Sequence, residues 1–155
     1  MIPSEQLKKF PFFNFMNEAQ LKAVALIAEE LNFKAGESIV ETNSPATSLF
    51  FLVDGSASYF YMVTTEHDPY YKKEYFISHF NPGEIFGISA LIEPYIYTAI
   101  VRAEKDCMII KINASGLRAL CEVDAKLSYG LMQAVAKAAL ERLQQTRVQL
   151  IAARN

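Results

Sequence analysis

From Lys34 to Asn113 the chain shows no helical periodicity. It is cut by turn residues into short β-branched and aromatic runs, and this segmentation constrains the fold more than any other feature. The runs are 38–42, 48–53, 56–65, 73–80, 97–104 and 107–112. They are separated by Asn43-Ser44-Pro45, Asp54-Gly55, His67-Asp68-Pro69 and Asn81-Pro82-Gly83, after an opening turn at Lys34-Ala35-Gly36-Glu37. Several short strands at such spacing predict a mainly β barrel, roll or sandwich. Asp54-Gly55, between two β-rich runs, is the strongest hairpin signal in the chain.

Helical patterns flank this region. Residues 4–15 read as a short helical segment ending at Pro11 and an aromatic turn. Asn17 is placed as an N-cap with Gln20 three residues on, and Met16 and Leu21 stand where a hydrophobic staple would put them. Leu21, Val24, Ala25, Ala28 and Leu31 then recur at helical spacing, predicting one helix with a core-facing side. Asn113 is a candidate N-cap for a short helix over 114–120, and a long helix is expected from about Asp124 to the end. Leu131 to Asn155 contains no Gly or Pro, which at ~1.5 Å per residue gives roughly 35 Å of helix. Along it Met132, Ala136, Ala139, Leu143, Thr146 and Leu150 alternate by threes and fours, the narrow seam of a helix that meets a partner helix. The expected partner is a second copy, in a homodimer formed through residues 126–153. The chain thus divides into a β-rich domain with its N-terminal helices, 1–120, and a C-terminal dimerisation helix, 121–155.

At 155 residues there is room for one domain with a proper core. An apolar fraction of 52% and a charged fraction of 21% exclude a disordered chain. The net charge is −2 and the basic residues are scattered, which argues against nucleic-acid binding. Lys137, Arg142, Arg147 and Arg154 of the last helix read as a solvated face. No apolar run approaches the roughly 18 residues of a membrane span, so no membrane association is expected. Two cysteines, Cys107 and Cys121, suit buried thiols in a reducing cytoplasm.

Several segments in sequence carry a family resemblance. Gly36-Glu37-Ser38-Ile39-Val40-Glu41 resembles the opening turn and strand of the cyclic nucleotide-binding domain, and 48–55 its next strand and glycine turn. Pro82-Gly83-Glu84-Ile85-Phe86-Gly87 resembles the approach to that family's phosphate-binding cassette. Residues 99–104 and 107–112 are similar to the two strands that follow, and 141–147 to the dimer helix of the bacterial cAMP receptor branch. The resemblance implies a β-roll of the double-stranded β-helix or jelly-roll kind with flanking helices and a long dimerisation helix. It also implies a ligand-sensing, non-catalytic role in signalling. No resident cofactor is expected; the implied ligand is a cyclic nucleotide or another small-molecule effector.

The cassette departs from the family pattern. The family runs Phe-Gly-Glu, an apolar stretch, then Arg-Ser/Thr-Ala. Here Phe86-Gly87-Ile88 and Tyr97-Thr98-Ala99 fill those places without a gap. Ile88 thus stands at the ribose-binding glutamate and Tyr97 at the phosphate-binding arginine. Hydrogen bonds to charged groups contribute about 1.5–3 kcal/mol each, so their loss weakens cAMP or cGMP binding on the order of 10²–10⁴-fold. The candidate cradle comprises Phe86, Gly87, Ile88, Ser89, Ala90, Tyr97 and Thr98, with main-chain N–H groups near Ser89 and Ala90 as an anion nest. Thr146 falls where the dimer helix offers a hydroxyl to the purine. The bland alternative is that Gly87 turns the chain, Ser89 and Thr98 satisfy nearby backbone, and Thr146 is a tolerated seam residue. The chain also ends where related transcription regulators continue into a helix-turn-helix, so no DNA binding by this chain alone is expected.

Three functional readings compete: a sensor with an altered pocket or a scaffold with a filled one; a cyclic-nucleotide receptor with a rearranged cassette; and the effector domain of a transcription regulator. A haem or metal sensor would have to use His67 and His79, which read as turn and strand residues. A cupin-type enzyme needs a His-x-His metal set that this chain lacks, and no nucleophile–base pair or glycine-rich nucleotide loop is visible. Tyr59, Tyr61, Tyr70 and Tyr71 flank the longest predicted hairpin and form a candidate partner-binding tip.

Overall fold

The structure is a computed structural model that describes residues 1–155. Helix α1 (Ser4–Lys8) and a 3-10 turn (Pro11–Phe15) lead into α2 (Glu18–Leu26). Eight strands follow: β1 (Ala28–Phe33), β2 (Ser38–Val40), β3 (Ser48–Asp54), β4 (Ala57–Thr64), β5 (Lys72–Phe80), β6 (Ile85–Phe86), β7 (Ile100–Ala103) and β8 (Cys107–Asn113). A second 3-10 turn (Ile88–Leu91) lies between β6 and β7, and helices α3 (Ala114–Val123) and α4 (Ala125–Arg154) close the chain. The strands form two four-stranded antiparallel sheets, ordered β1-β8-β3-β6 and β2-β7-β4-β5. This is the mainly β architecture that the segmentation implied, in the form of the roll with flanking helices that the family resemblance implied.

Phe51 of β3 is fully buried, with the rings of Phe10, Phe12 and Phe13 centred 5.0, 5.7 and 5.2 Å away, so the N-terminal aromatic turn plugs one side of the roll. Gly130 of α4 lies directly under the Phe15 ring, where a Cβ would collide. The inner stripe of α4, Leu127, Leu131, Val135 and Ala138, belongs to the same hydrophobic cluster as the strands.

The starts of α2 and α3 are capped by the residues the sequence suggests, and Asp124 caps α4. Asn17 and Gln20 form a reciprocal capping box, each side chain accepting from the other's backbone N–H at 2.8 Å. The Asn113 side chain accepts from the Gly116 N–H (2.8 Å), and Asp124 accepts from the Leu127 N–H (3.0 Å) and the Gln20 side-chain amide (2.9 Å). The last bond ties the start of α4 to α2.

Three expectations are corrected. The helix begun at Asn17 stops at Leu26; Ala28 and Leu31 lie on β1, paired antiparallel with β8 from Ala28↔Ile112 to Phe33↔Cys107. The edge that β8 offers outweighs local helical spacing. Asp54-Gly55 is not a hairpin turn, because β3 and β4 belong to different sheets. Gly55 has φ 96° and passes so close to the Asp106 carbonyl and Cys107 Cα that no Cβ would fit, so the glycine serves a crossing between layers. The predicted strand 97–104 is regular only over Ile100–Ala103, and β6, which pairs with β3, has no counterpart among the expected runs.

Candidate functional site

The site forms where the cassette turns back on itself beneath α4. Strand β6 leads into Gly87, whose φ of 73° places it in the left-handed region. A Cβ there would press on the Phe50 ring, the Ser48 carbonyl and the Tyr97 ring at 3.0–3.3 Å, so only glycine is comfortable. The 3-10 turn follows at once, and the returning segment before β7 carries Tyr97, Thr98 and Ala99 along the opposite wall. Between these walls, the inner face of the second sheet and α4 lies a cavity of about 220 Å³.

Phe86, Gly87, Ile88, Ser89, Tyr97 and Thr98 all line this cavity, as does Ala139 from the expected dimer seam. Two residues expected in the cradle are elsewhere. Ala90 is fully buried, and its carbonyl accepts from Arg118 Nη1 at 2.6 Å. Thr146 lies outside the cavity, its hydroxyl donating within the helix to the Arg142 carbonyl at 2.8 Å.

Tyr97 lends its ring to the wall but not its hydroxyl. The hydroxyl donates to the Ser48 carbonyl (2.6 Å) and accepts from the Ser48 N–H (3.1 Å), clamping the cassette to β3. Burial pushes the phenol above its ordinary value.

Arg142 was expected on a solvated helix face. It instead follows Ala138 by one helical turn on the inner stripe of α4, and its side chain is only 14% exposed. Its guanidinium lies 4.1 Å above the Phe80 ring, at the end of a stack in which Phe86 is 5.1 Å from Phe50 and 5.0 Å from Phe80. Nη1 donates to Gln145 Oε1 (2.9 Å), which also accepts from Ser78 Oγ (2.6 Å). Nη2 faces Glu84 Oε2 at 3.6 Å, and neither atom makes a hydrogen bond. Desolvation holds the guanidinium below its ordinary value, against the pull of Glu84. The signal for this residue was its i+4 spacing from Ala138, outweighed by its neighbours Glu141 and Arg147.

Farther along α4 the helix stays against the roll. A register shift between Tyr59 and Phe60 leaves Ile77 of β5 outside the ladder, and the Ile77 carbonyl accepts from Gln149 Nε2 at 3.0 Å. Of the seam residues, Met132 packs partly on the core, whereas Ala136, Ala139, Leu143, Thr146 and Leu150 are exposed.

His67 is exposed in the loop after β4, and His79 Nδ1 lies 2.8 Å from Glu104 Oε2. Both cysteines are free, and no group of three or more His, Cys, Asp or Glu stands together to hold a metal ion. No helix is long and apolar enough to cross a membrane.

The molecule is a β-roll closed by a long C-terminal helix, with a cavity between the cassette and that helix. The family profile described as cyclic nucleotide-binding domain matches residues 30–124, more than half of the chain. This chain belongs to the cyclic nucleotide-binding domain family. It resembles a solved structure named as a cyclic nucleotide-binding protein from Geobacter metallireducens, at 38% identity over 92% of this chain and 99% of that one, with a TM-score of 0.78. The same fold recurs in the sensor domain of the transcriptional regulator DNR from Pseudomonas aeruginosa (13% identity, 87% and 91% covered, TM-score 0.69). It recurs again in the c-di-GMP-responsive global regulator CLP from Xanthomonas campestris (18% identity, 86% and 63% covered, TM-score 0.68). No curated protein matches the chain. Members of the family are typically regulatory rather than catalytic.

Proposed function

We propose that this chain is a non-catalytic sensor module of the cytoplasm. It works as a homodimer through α4 and takes a small effector between cassette and α4 without the family's glutamate and arginine contacts. The observation that carries this reading is Tyr97: its hydroxyl is committed to Ser48, so the arginine position of the cassette offers no cation to a cyclic phosphate. Ile88, at the glutamate position, packs against the core and offers the ribose no acceptor. The cavity nonetheless remains open and faces the helix through which a dimer would form, as a sensor requires.

The dimer reading is supported by the exposed line Ala136, Ala139, Leu143 and Leu150, which the roll of the same chain leaves uncovered. Two free cysteines agree with a reducing compartment. As a regulatory module the chain would act through a partner or a further domain rather than by contacting DNA itself. Calorimetric titration with cAMP, and with cGMP in parallel, tests the altered pocket. The expected result is no saturable binding at micromolar ligand. Micromolar binding would make the chain a cyclic-nucleotide receptor with a rearranged cassette.

A further inference from the structure

We propose that Arg142 of α4 holds the charged end of the effector, and that the effector is a small apolar monocarboxylate. This rests on the reading of the cavity as an effector site and adds the chemical class of the ligand. Arg142 is the single charged residue on the cavity wall. Around it Phe80, Phe86, Ile88 and Val101 offer a ligand body mostly apolar and aromatic surface, with hydroxyls at Tyr59, Ser89 and Thr98.

The guanidinium is positioned but not satisfied. Gln145 holds one terminal nitrogen and the Phe80 ring supports its face, while the other terminal nitrogen has only Glu84 at 3.6 Å, without a hydrogen bond. Glu84 does not line this cavity; it stands on the far side, on the wall of a neighbouring cavity of about 290 Å³ that Arg142 also borders. Nη2 is buried against Glu84, so a ligand in the first cavity meets the other N–H groups of the guanidinium or draws the guanidinium off Glu84. A carboxylate matches the planar guanidinium fork in shape and charge and makes shorter, stronger bonds than neutral acceptors do. One negative charge suffices, because Glu84 behind the guanidinium opposes a second. The depressed basicity of Arg142 has the same origin, a buried cation short of partners. Size points the same way: about 220 Å³ is below the ~300–1,000 Å³ of clefts that take drug-sized ligands.

The test is calorimetric titration of the full chain with benzoate, cinnamate and hexanoate, each beside its neutral amide, with cAMP as a parallel run. At least one acid is expected to bind saturably in the millimolar range or tighter, with its amide at least tenfold weaker. Arg142→Gln should weaken that acid on the order of 10–100-fold and leave the amide unchanged, whereas Glu84→Gln should strengthen the acid. Equal affinity for acid and amide, no binding of any acid, or an Arg142→Gln variant that folds and binds the acid normally overturns the proposal. If Arg142→Gln fails to fold, the acid–amide comparison on the unaltered protein and the Glu84→Gln variant still decide. Micromolar cAMP binding would defeat the underlying reading of the cassette, whereas silence from both cAMP and the acids would defeat this inference alone.

Discussion

Tyr97 and Arg142 exchange the roles that their positions suggest. The tyrosine at the arginine position of the cassette is a structural clamp, and the arginine on the helix is the cation at the cavity. Removing the Tyr97 hydroxyl would strip two hydrogen bonds from the backbone of Ser48, itself 1% exposed. Tyr97→Phe is therefore expected to lower unfolding stability by about 1–3 kcal/mol, measured by urea denaturation. An unchanged midpoint would mean that the clamp has no energetic role. The loss of the family's glutamate and arginine could be read from the sequence, because Ile88 and Tyr97 fill fixed offsets from Gly87. What Tyr97 does instead could not, since Ser48 is 49 residues away. Arg142 was hidden for a similar reason: a basic residue among Glu141, Gln144 and Arg147 looks solvated until the roll closes over it.

At the scale of elements, the helix starts were legible and the strand pairings were not. Caps are local, so Asn17 and Asn113 announce themselves within four residues, and the long helix was expected from about Asp124, whose capping role the structure adds. Pairing is not local: Ala28 and Leu31 fit a helical stripe until the edge of β8 claims them, and Asp54-Gly55 looks like a hairpin until the two strands enter different sheets. The Asp124 cap also gives α4 a titratable foot. The Gln20 amide and then the Leu127 N–H hold the Asp124 carboxyl below its ordinary value. A carboxyl depressed by folding stabilises the native state above its unfolded value and loses that contribution as pH falls through the folded one. The melting temperature should therefore fall on acidification below the ordinary carboxylate range, and Asp124→Asn, which keeps a capping oxygen but cannot titrate there, should reduce the fall. Parallel curves for the two proteins would contradict the assignment.

For the whole molecule, the long helix is shared between two surfaces. Its inner line, Leu127 to Gln149, lies against the roll, while Leu143 and Leu150 on the outer line are 44% and 54% exposed. We expect a dimer by sedimentation at micromolar concentration, and Leu143→Glu should yield a monomer with unchanged circular dichroism, because Leu143 does not belong to the core. A monomer in the unaltered protein would sink this part of the account. The cavity lies between the cassette and that same helix, so in the proposed dimer an occupant would touch both the cassette and the helix through which two copies meet. The measurement that tests the central claim most directly is the calorimetric titration with cAMP. The account predicts no saturable heat at micromolar ligand, because neither Ile88 nor Tyr97 can replace the contacts that hold a cyclic nucleotide. Saturable micromolar binding would contradict it and return the cassette to the role that its family name describes.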